Sequence, residues 1–211
     1  MRRLLRRIVL WRVGLRWYLF VLAGIPAVVA LSTLVMPGAL ASFDAAAVPN
    51  VLFLYVVAGL FFLFAGGPFF EEIGWRGFAL PRMQRRYGPL AGSLVLGVLW
   101  ALWHLPLFLV PDWDTPHGGP LDVALFIVIA VGMSVVLTWV FNNTRGSVLI
   151  AILAHGSFNM SAVAMYDLFP TPAVTDGIAN FAVGLGAAAL LIAVLTRGRL
   201  GHRRQEDPGS A

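Results

Sequence analysis

Two adjacent glutamates and an arginine lie inside an apolar stretch of the sequence, GGPFFEEIGWRGFAL at 66–80. Glu72 and Arg76 are four residues apart with the acid first, which is the favoured orientation for an ion pair along one helix. Such a pair lowers the cost of placing both charges in a membrane, so we expect a helix-stabilising ion pair here. Glu71 points to another face of the same helix, which makes it the acid that is available for chemistry.

Two other apolar stretches carry a histidine each. Trp100 and His104 are one turn apart in LWALWHLPLF, and His155 and Asn159 share one helical face in AILAHGSFNM. A lone histidine in a membrane helix is often a hydrogen-bond partner between helices. At 1.5 Å per residue, however, His155 and His104 lie about 12 and 22 Å from one end of their helices, which brackets a depth of about 15 Å for Glu71. Three helices therefore direct polar side chains at one layer of the membrane.

Glutamate with histidine can hold a water molecule and deprotonate it. Attack of that water on an amide creates an oxyanion, and side chains must stabilise it because the N–H groups inside a helix are already bonded. His155 and Asn159 can supply two such donors. The chain has no cysteine, which excludes a thiol nucleophile and cysteine-ligated metal. A zinc site formed by Glu71, His104 and His155 is an alternative that the residues leave open.

The composition places these residues in a membrane protein. The 211 residues are 59% hydrophobic and 12% charged, and the mean hydropathy is +0.84, which is typical of a polytopic helical bundle. We expect one all-α membrane domain over 1–196, which opens with a basic, amphipathic segment at 1–16, and a disordered basic and polar tail at 197–211. The net charge of +5 could suggest nucleic acid, but the positions of the arginines indicate membrane topology instead.

Six stretches are apolar and long enough to span a bilayer. Arginines precede the first stretch and follow the second, fourth and sixth, whereas the other loops carry aspartate and no basic residue. This alternation predicts about six transmembrane helices in the cell membrane, with both termini in the cytoplasm. Glycine and proline at 66–68 predict a kink in the second stretch. The predicted spans are 17–36, 51–80, 89–110, 121–141, 147–168 and 177–196.

Three short patterns occur in order on successive predicted helices. Residues 71–76 fit EExxxR, residues 100–104 fit FxxxH with tryptophan in place of phenylalanine, and residues 155–159 fit HxxxN. Over residues 51–165 the chain resembles the CAAX protease and bacteriocin-processing family, also called the Abi or type II CAAX prenyl endopeptidase family.

The resemblance implies a metal-independent intramembrane glutamic endopeptidase that needs no cofactor. Glu71 and His104 would activate water, and His155 and Asn159 would form the oxyanion hole. Glu72 and Arg76 would support them, with Trp100 in the pocket wall. The implied partners are the lipid bilayer and a membrane or lipidated peptide substrate, and not nucleic acid.

Two readings without catalysis remain open: a proton-coupled transporter, for which intramembrane Glu and His are typical, and a bacteriocin-immunity scaffold. The sequence does not separate prenylated from other peptide substrates, and it predicts no oligomeric state.

Overall fold

A computed structural model describes residues 2–65, 67–110, 119–175 and 178–202. The fold is all-α, as predicted. The main helices are α1 (Arg2–Ile8), α2 (Leu15–Leu34), α3 (Val48–Phe64), α4 (67–87), α5 (Pro89–His104), α6 (Pro120–Asn143), α7 (Val148–Leu168) and α8 (Ala179–Leu195). Helices α2 and α4 each contain a π-helical segment, at Phe20–Gly24 and Ile73–Ala79, and α5 continues as a 3₁₀ helix over Leu105–Leu109.

Five helical segments in the described part of the chain are long and apolar enough to cross a membrane. They correspond to the first five predicted spans. The sixth predicted span is the shorter apolar helix α8, with 17 residues. The five segments are Leu15–Leu34, Ala45–Phe62, Pro89–Leu109, Pro120–Asn143 and Val148–Leu168.

The second predicted span, 51–80, is not one helix. Helix α3 ends at Phe64 and α4 begins at Gly67, because Pro68 lacks the N–H that a continuous helix would need. Both pieces run antiparallel along α7. The Asp44 N–H donates to the Leu168 carbonyl at one end of α7, and Gly77 lies against Val148 at the other end. The two helices together therefore cross the bundle once, with the predicted interruption between them.

Helices α5 and α6 approach each other closely beside the site. A Cβ at Gly97 would lie 2.7 Å from the Cα of Val131, so the two backbones touch at this point. Buried hydroxyls also join the two helices, with 2.9 Å between Ser93 Oγ and Thr138 Oγ1. Small residues and hydroxyl pairs of this kind replace the hydrophobic driving force between membrane helices. This contact holds α5 against α6 about one turn before Trp100.

The amphipathic N-terminal segment is shorter than predicted. Leu4 lies against Gly77, and Ile8 packs on the apolar cluster beside α4 and α7. Helix α1 ends at Ile8, before the end of the predicted segment at residue 16, and Trp11 and Leu15 beyond it are exposed. The chain leaves the helix because the Leu10 carbonyl accepts a hydrogen bond from Ser147 Oγ, 2.6 Å away at the start of α7.

The predicted disordered tail begins too early at residue 197. Residues 197–202 form turns against the end of α6, and Leu200 is completely buried. The Leu200 carbonyl accepts a hydrogen bond of 3.0 Å from Asn142 Nδ2. One buried leucine and a satisfied carbonyl therefore order a segment that looks polar in sequence. Residues 203–211 lie outside the described residues.

Candidate active site

Glu72 links the two halves of the site. Its Oε1 atom accepts a hydrogen bond from Arg76 Nη1 at 3.0 Å, and both side chains are fully buried. The ion pair expected within α4 is therefore present. The same oxygen accepts a second hydrogen bond of 2.9 Å from Nδ1 of His155 on α7. The sequence patterns did not predict this second contact, because it joins residues that are 83 positions apart.

Glu71 is bound by a tryptophan that the sequence assigned only to the pocket wall. Trp100 Nε1 donates to Glu71 Oε2 at 2.7 Å. The other oxygen, Oε1, occupies space left by Gly67, where an added Cβ would lie 3.0 Å from it. The carboxylate is half-buried. One oxygen of Glu71 is thus oriented by α5, while the other lies over the first turn of α4.

The indole of Trp100 lies at the centre of the polar cluster and is 5% exposed. The Arg76 guanidinium lies 5.0 Å from its ring centroid, a cation–π distance. The imidazole of His155 meets it edge to face at 5.1 Å and that of His104 at 5.7 Å. Trp100 therefore contacts residues from all three motifs.

His104 is half-buried at the end of α5. Its Nδ1 atom lies 2.9 Å from the carbonyl oxygen of Trp100. Because a carbonyl can only accept, Nδ1 must carry the proton, and Nε2 is the acceptor nitrogen of the neutral ring. Trp100 therefore connects Glu71 to His104, with its indole on the carboxylate and its carbonyl on the imidazole.

Asn159 lies one turn after His155 on α7 and is half-buried. Its amide makes no hydrogen bond with the other described residues, in contrast to the side chains of Glu71, Glu72 and His155. A half-buried amide of this kind can donate to a group that enters the site.

Aromatic residues enclose the histidine side of the cluster. The His104 ring lies 4.7 Å from Trp103 and 5.4 Å from Phe126, a residue of α6. Phe126 also contacts Phe108 at 5.4 Å. Sequence reasoning missed Phe126 because one more phenylalanine in an apolar helix carries no signal, and only the fold brings it to His104.

The buried ion pair is incompletely satisfied by the described residues. Glu72 Oε2 and the Arg76 atoms Nε and Nη2 have no hydrogen-bond partner among them. Buried charges lose hydration that one short contact does not fully replace. The cation–π contact of Arg76 with Trp100 and the hydrogen bond from His155 offset part of this cost. The pair is therefore costly to break from either side.

The acidic and imidazole side chains are arranged around Trp100 rather than around a common point. Among the described residues, no three His, Asp or Glu side chains form a group that could hold a metal ion. A zinc site with Glu71, His104 and His155 as ligands stays an alternative, which a chelator assay tests.

Comparison with known proteins agrees with the motif pattern. The family model described as type II CAAX prenyl endopeptidase Rce1-like matches residues 52–161, just over half of the chain. This range contains every residue of the site described above. The chain is also similar to CAAX prenyl protease 2 of Methanococcus maripaludis, with 29% identity over 154 residues. That alignment covers 72% of this chain and 52% of the relative, so the chain spans about half the relative's length. The chain thus belongs to the Rce1-like family of type II CAAX prenyl endopeptidases.

Proposed function

We propose that this protein is an intramembrane endopeptidase that uses Glu71 to activate water. The observation that carries the proposal is the contact of Trp100 with Glu71, Arg76, His104 and His155. These groups come from three helices and meet inside an apolar bundle. Ionisable side chains are costly in a membrane and usually mark a functional site. Family membership supports the same reaction class.

The proposed reaction begins with a water molecule held by Glu71 and His104. Glu71 takes one proton from the water while the water oxygen attacks the carbonyl carbon of the scissile peptide bond. The C–N bond of the tetrahedral intermediate then breaks, and the leaving amine receives the proton from Glu71. Trp100 donates to Oε2, whereas Oε1 accepts no hydrogen bond from the described residues, so we assign the transferred proton to Oε1.

His155 and Asn159 are the proposed oxyanion donors. Nδ1 of His155 donates to the Glu72 carboxylate, so Nε2 can donate to an oxyanion only when the ring carries both protons. Glu72 lies between Arg76 and His155 and accepts a hydrogen bond from each of them. In this account Glu72 and Arg76 are positioning residues, since they act through His155 and Trp100.

The proposed substrate is a membrane-embedded or lipidated peptide, because the polar cluster lies in membrane-spanning helices. The Methanococcus maripaludis relative is named as a prenyl protease, which makes a prenylated peptide the first candidate here. A role in bacteriocin maturation or self-immunity would use the same reaction on another membrane peptide.

The test uses the purified full chain in proteoliposomes with three sets of fluorogenic peptides: prenylated, transmembrane and unmodified. Each set is assayed with and without a zinc chelator. We expect cleavage of prenylated or transmembrane peptides that does not depend on the chelator. Stoichiometric zinc in active protein, or activity lost to the chelator and restored by zinc, would contradict metal independence. A folded protein that cleaves no set would contradict the peptidase proposal and favour the scaffold or transporter reading.

A further inference from the structure

A second feature of the molecule lies away from the polar cluster, at the basic end of the bundle. An open surface cavity of about 390 Å³ lies between the beginning of α2 and the end of α6. This volume falls in the range of small-molecule sites, roughly 300–1,000 Å³. Its lining is an unusual mixture of one cation, one amide and three aromatic rings: Arg16, Asn143, Trp17, Phe20 and Trp139.

The aromatic part of the lining is a preformed wall. Trp139 meets Trp17 edge to face at 4.9 Å and Phe20 at 5.2 Å. Phe20 begins the π-helical segment of α2, and its ring lies against Gly24, where an added Cβ would come within 3.0 Å of it. The glycine therefore lets the ring lie flat along α2. This wall can hold the apolar part of an amphipathic ligand.

The polar part of the lining offers two hydrogen-bond donor groups, the guanidinium of Arg16 and the amide nitrogen of Asn143. Arg16 is exposed, its guanidinium lies 5.6 Å from the Trp17 ring centroid, and it forms no ion pair with the described residues. Asn143 Nδ2 donates one hydrogen to the Trp139 carbonyl at 2.8 Å, and a primary amide has a second hydrogen to give. The C-terminal turn holds this amide in place, because a Cβ at Gly201 would overlap it.

The described charged residues near the cavity are all positive. The exposed arginines Arg12, Arg145, Arg197 and Arg199 belong to the same end of the bundle. Outside the active-site cluster, the described carboxylates are Asp44, Asp122 and Asp167, at the opposite ends of their helices. A ligand at this cavity therefore meets positive potential with no nearby described acid to neutralise it.

We propose that this cavity binds the headgroup of an anionic phospholipid. The phosphate accepts hydrogen bonds from Arg16 and Asn143, and the glycerol and upper acyl region lie on the three rings. Tryptophan and arginine at a helix end are typical of the membrane interface, and basic pockets between transmembrane helices are known to hold anionic headgroups. This proposal does not depend on the proposed peptidase activity.

The test measures lipid binding by the delipidated 211-residue chain in detergent, using native mass spectrometry and thermal melting. The probes are phosphatidylglycerol, phosphatidylcholine with the same acyl chains, and inorganic phosphate. We expect saturable binding of one phosphatidylglycerol molecule, which raises the melting temperature. The other two probes should have weaker effects. Arg16→Gln should weaken phosphatidylglycerol binding by about tenfold or more, the value of a charge-assisted hydrogen bond. Arg16→Lys keeps the charge and should retain part of the affinity.

The matched control is Arg85→Gln, which removes an exposed arginine that does not line the cavity. Equal losses in the two glutamine variants would mean general attraction to a basic surface and would overturn the site. Equal binding of phosphatidylcholine would contradict recognition of negative charge. An equal effect of inorganic phosphate would contradict the lipid assignment.

Discussion

At the scale of single residues, Glu72 carries two hydrogen bonds on one oxygen. We predict that Glu72→Gln lowers both the melting temperature and turnover. The substitution leaves Arg76 buried without its counter-charge, and breaking a buried ion pair costs about 3–5 kcal/mol. It also weakens the contact with His155, because a neutral amide oxygen replaces the charged carboxylate as the acceptor. Melting curves and kinetics in detergent measure both effects; a variant with unchanged stability would contradict the buried-pair account.

The hydrogen bond from Trp100 to Glu71 gives a second prediction. Trp100→Phe keeps an aromatic ring and restores the residue of the FxxxH pattern, but it removes the N–H that orients the base. We expect kcat to fall by about tenfold, since a hydrogen bond to a charged group contributes about 1.5–3 kcal/mol, while KM stays unchanged. Trp103→Phe is the control, because Trp103 is mostly exposed and its contact with His104 is made by the ring. Equal losses in both variants would refute the positioning role.

Residue contacts within one helix were predictable and those between helices were not. Glu72 and Arg76 follow the fixed spacing of a helical turn, so their ion pair could be read from the sequence. The bonds from Trp100 to Glu71 and from His155 to Glu72 depend on how α5 and α7 rotate against α4. The distance of each residue from the end of its predicted helix placed these residues in one layer of the membrane. It did not determine which atoms meet.

At the scale of helices, the break between α3 and α4 determines the surroundings of Glu71. We predict that Gly67→Ala lowers turnover without a large loss of stability, because the new methyl group would lie 3.0 Å from Glu71 Oε1 and displace it. Gly74→Ala in the same segment meets nothing within 4 Å and is the control. Turnover assays of both variants test whether catalysis needs Glu71 Oε1 in the space beside Gly67. Full activity of Gly67→Ala would show that it does not.

Hydropathy predicts the second span as one helix, whereas the structure divides it between α3 and α4. Residues 51–80 are apolar apart from three charged residues, so hydropathy alone does not reveal that two helices share the crossing. Only the glycines and Pro68 indicated an interruption. The end of α1 and the order of 197–202 were missed for a related reason, since a single tertiary contact at Leu10 or Leu200 decides each of them.

At the scale of the whole molecule, the arginine alternation predicts that both termini are cytoplasmic. Reporter fusions after residues 44, 114 and 172 should read outside, and those after 88 and 145 should read inside. The antiparallel path of α3 and α4 along α7 agrees with a single crossing between 44 and 88. A cytoplasmic signal at 114 would break this topology.

The central claim is that Glu71 is the catalytic base, and the most direct test is the turnover of Glu71→Gln beside Asn159→Ala. Glutamine keeps the shape of Glu71 but cannot take a proton, so cleavage of a lipidated peptide should fall to background while the melting temperature stays near that of the unsubstituted protein. Asn159→Ala removes one oxyanion donor and should lose about 10²–10³ in kcat, with activity still measurable. A Glu71→Gln protein that still cleaves the peptide would contradict the mechanism.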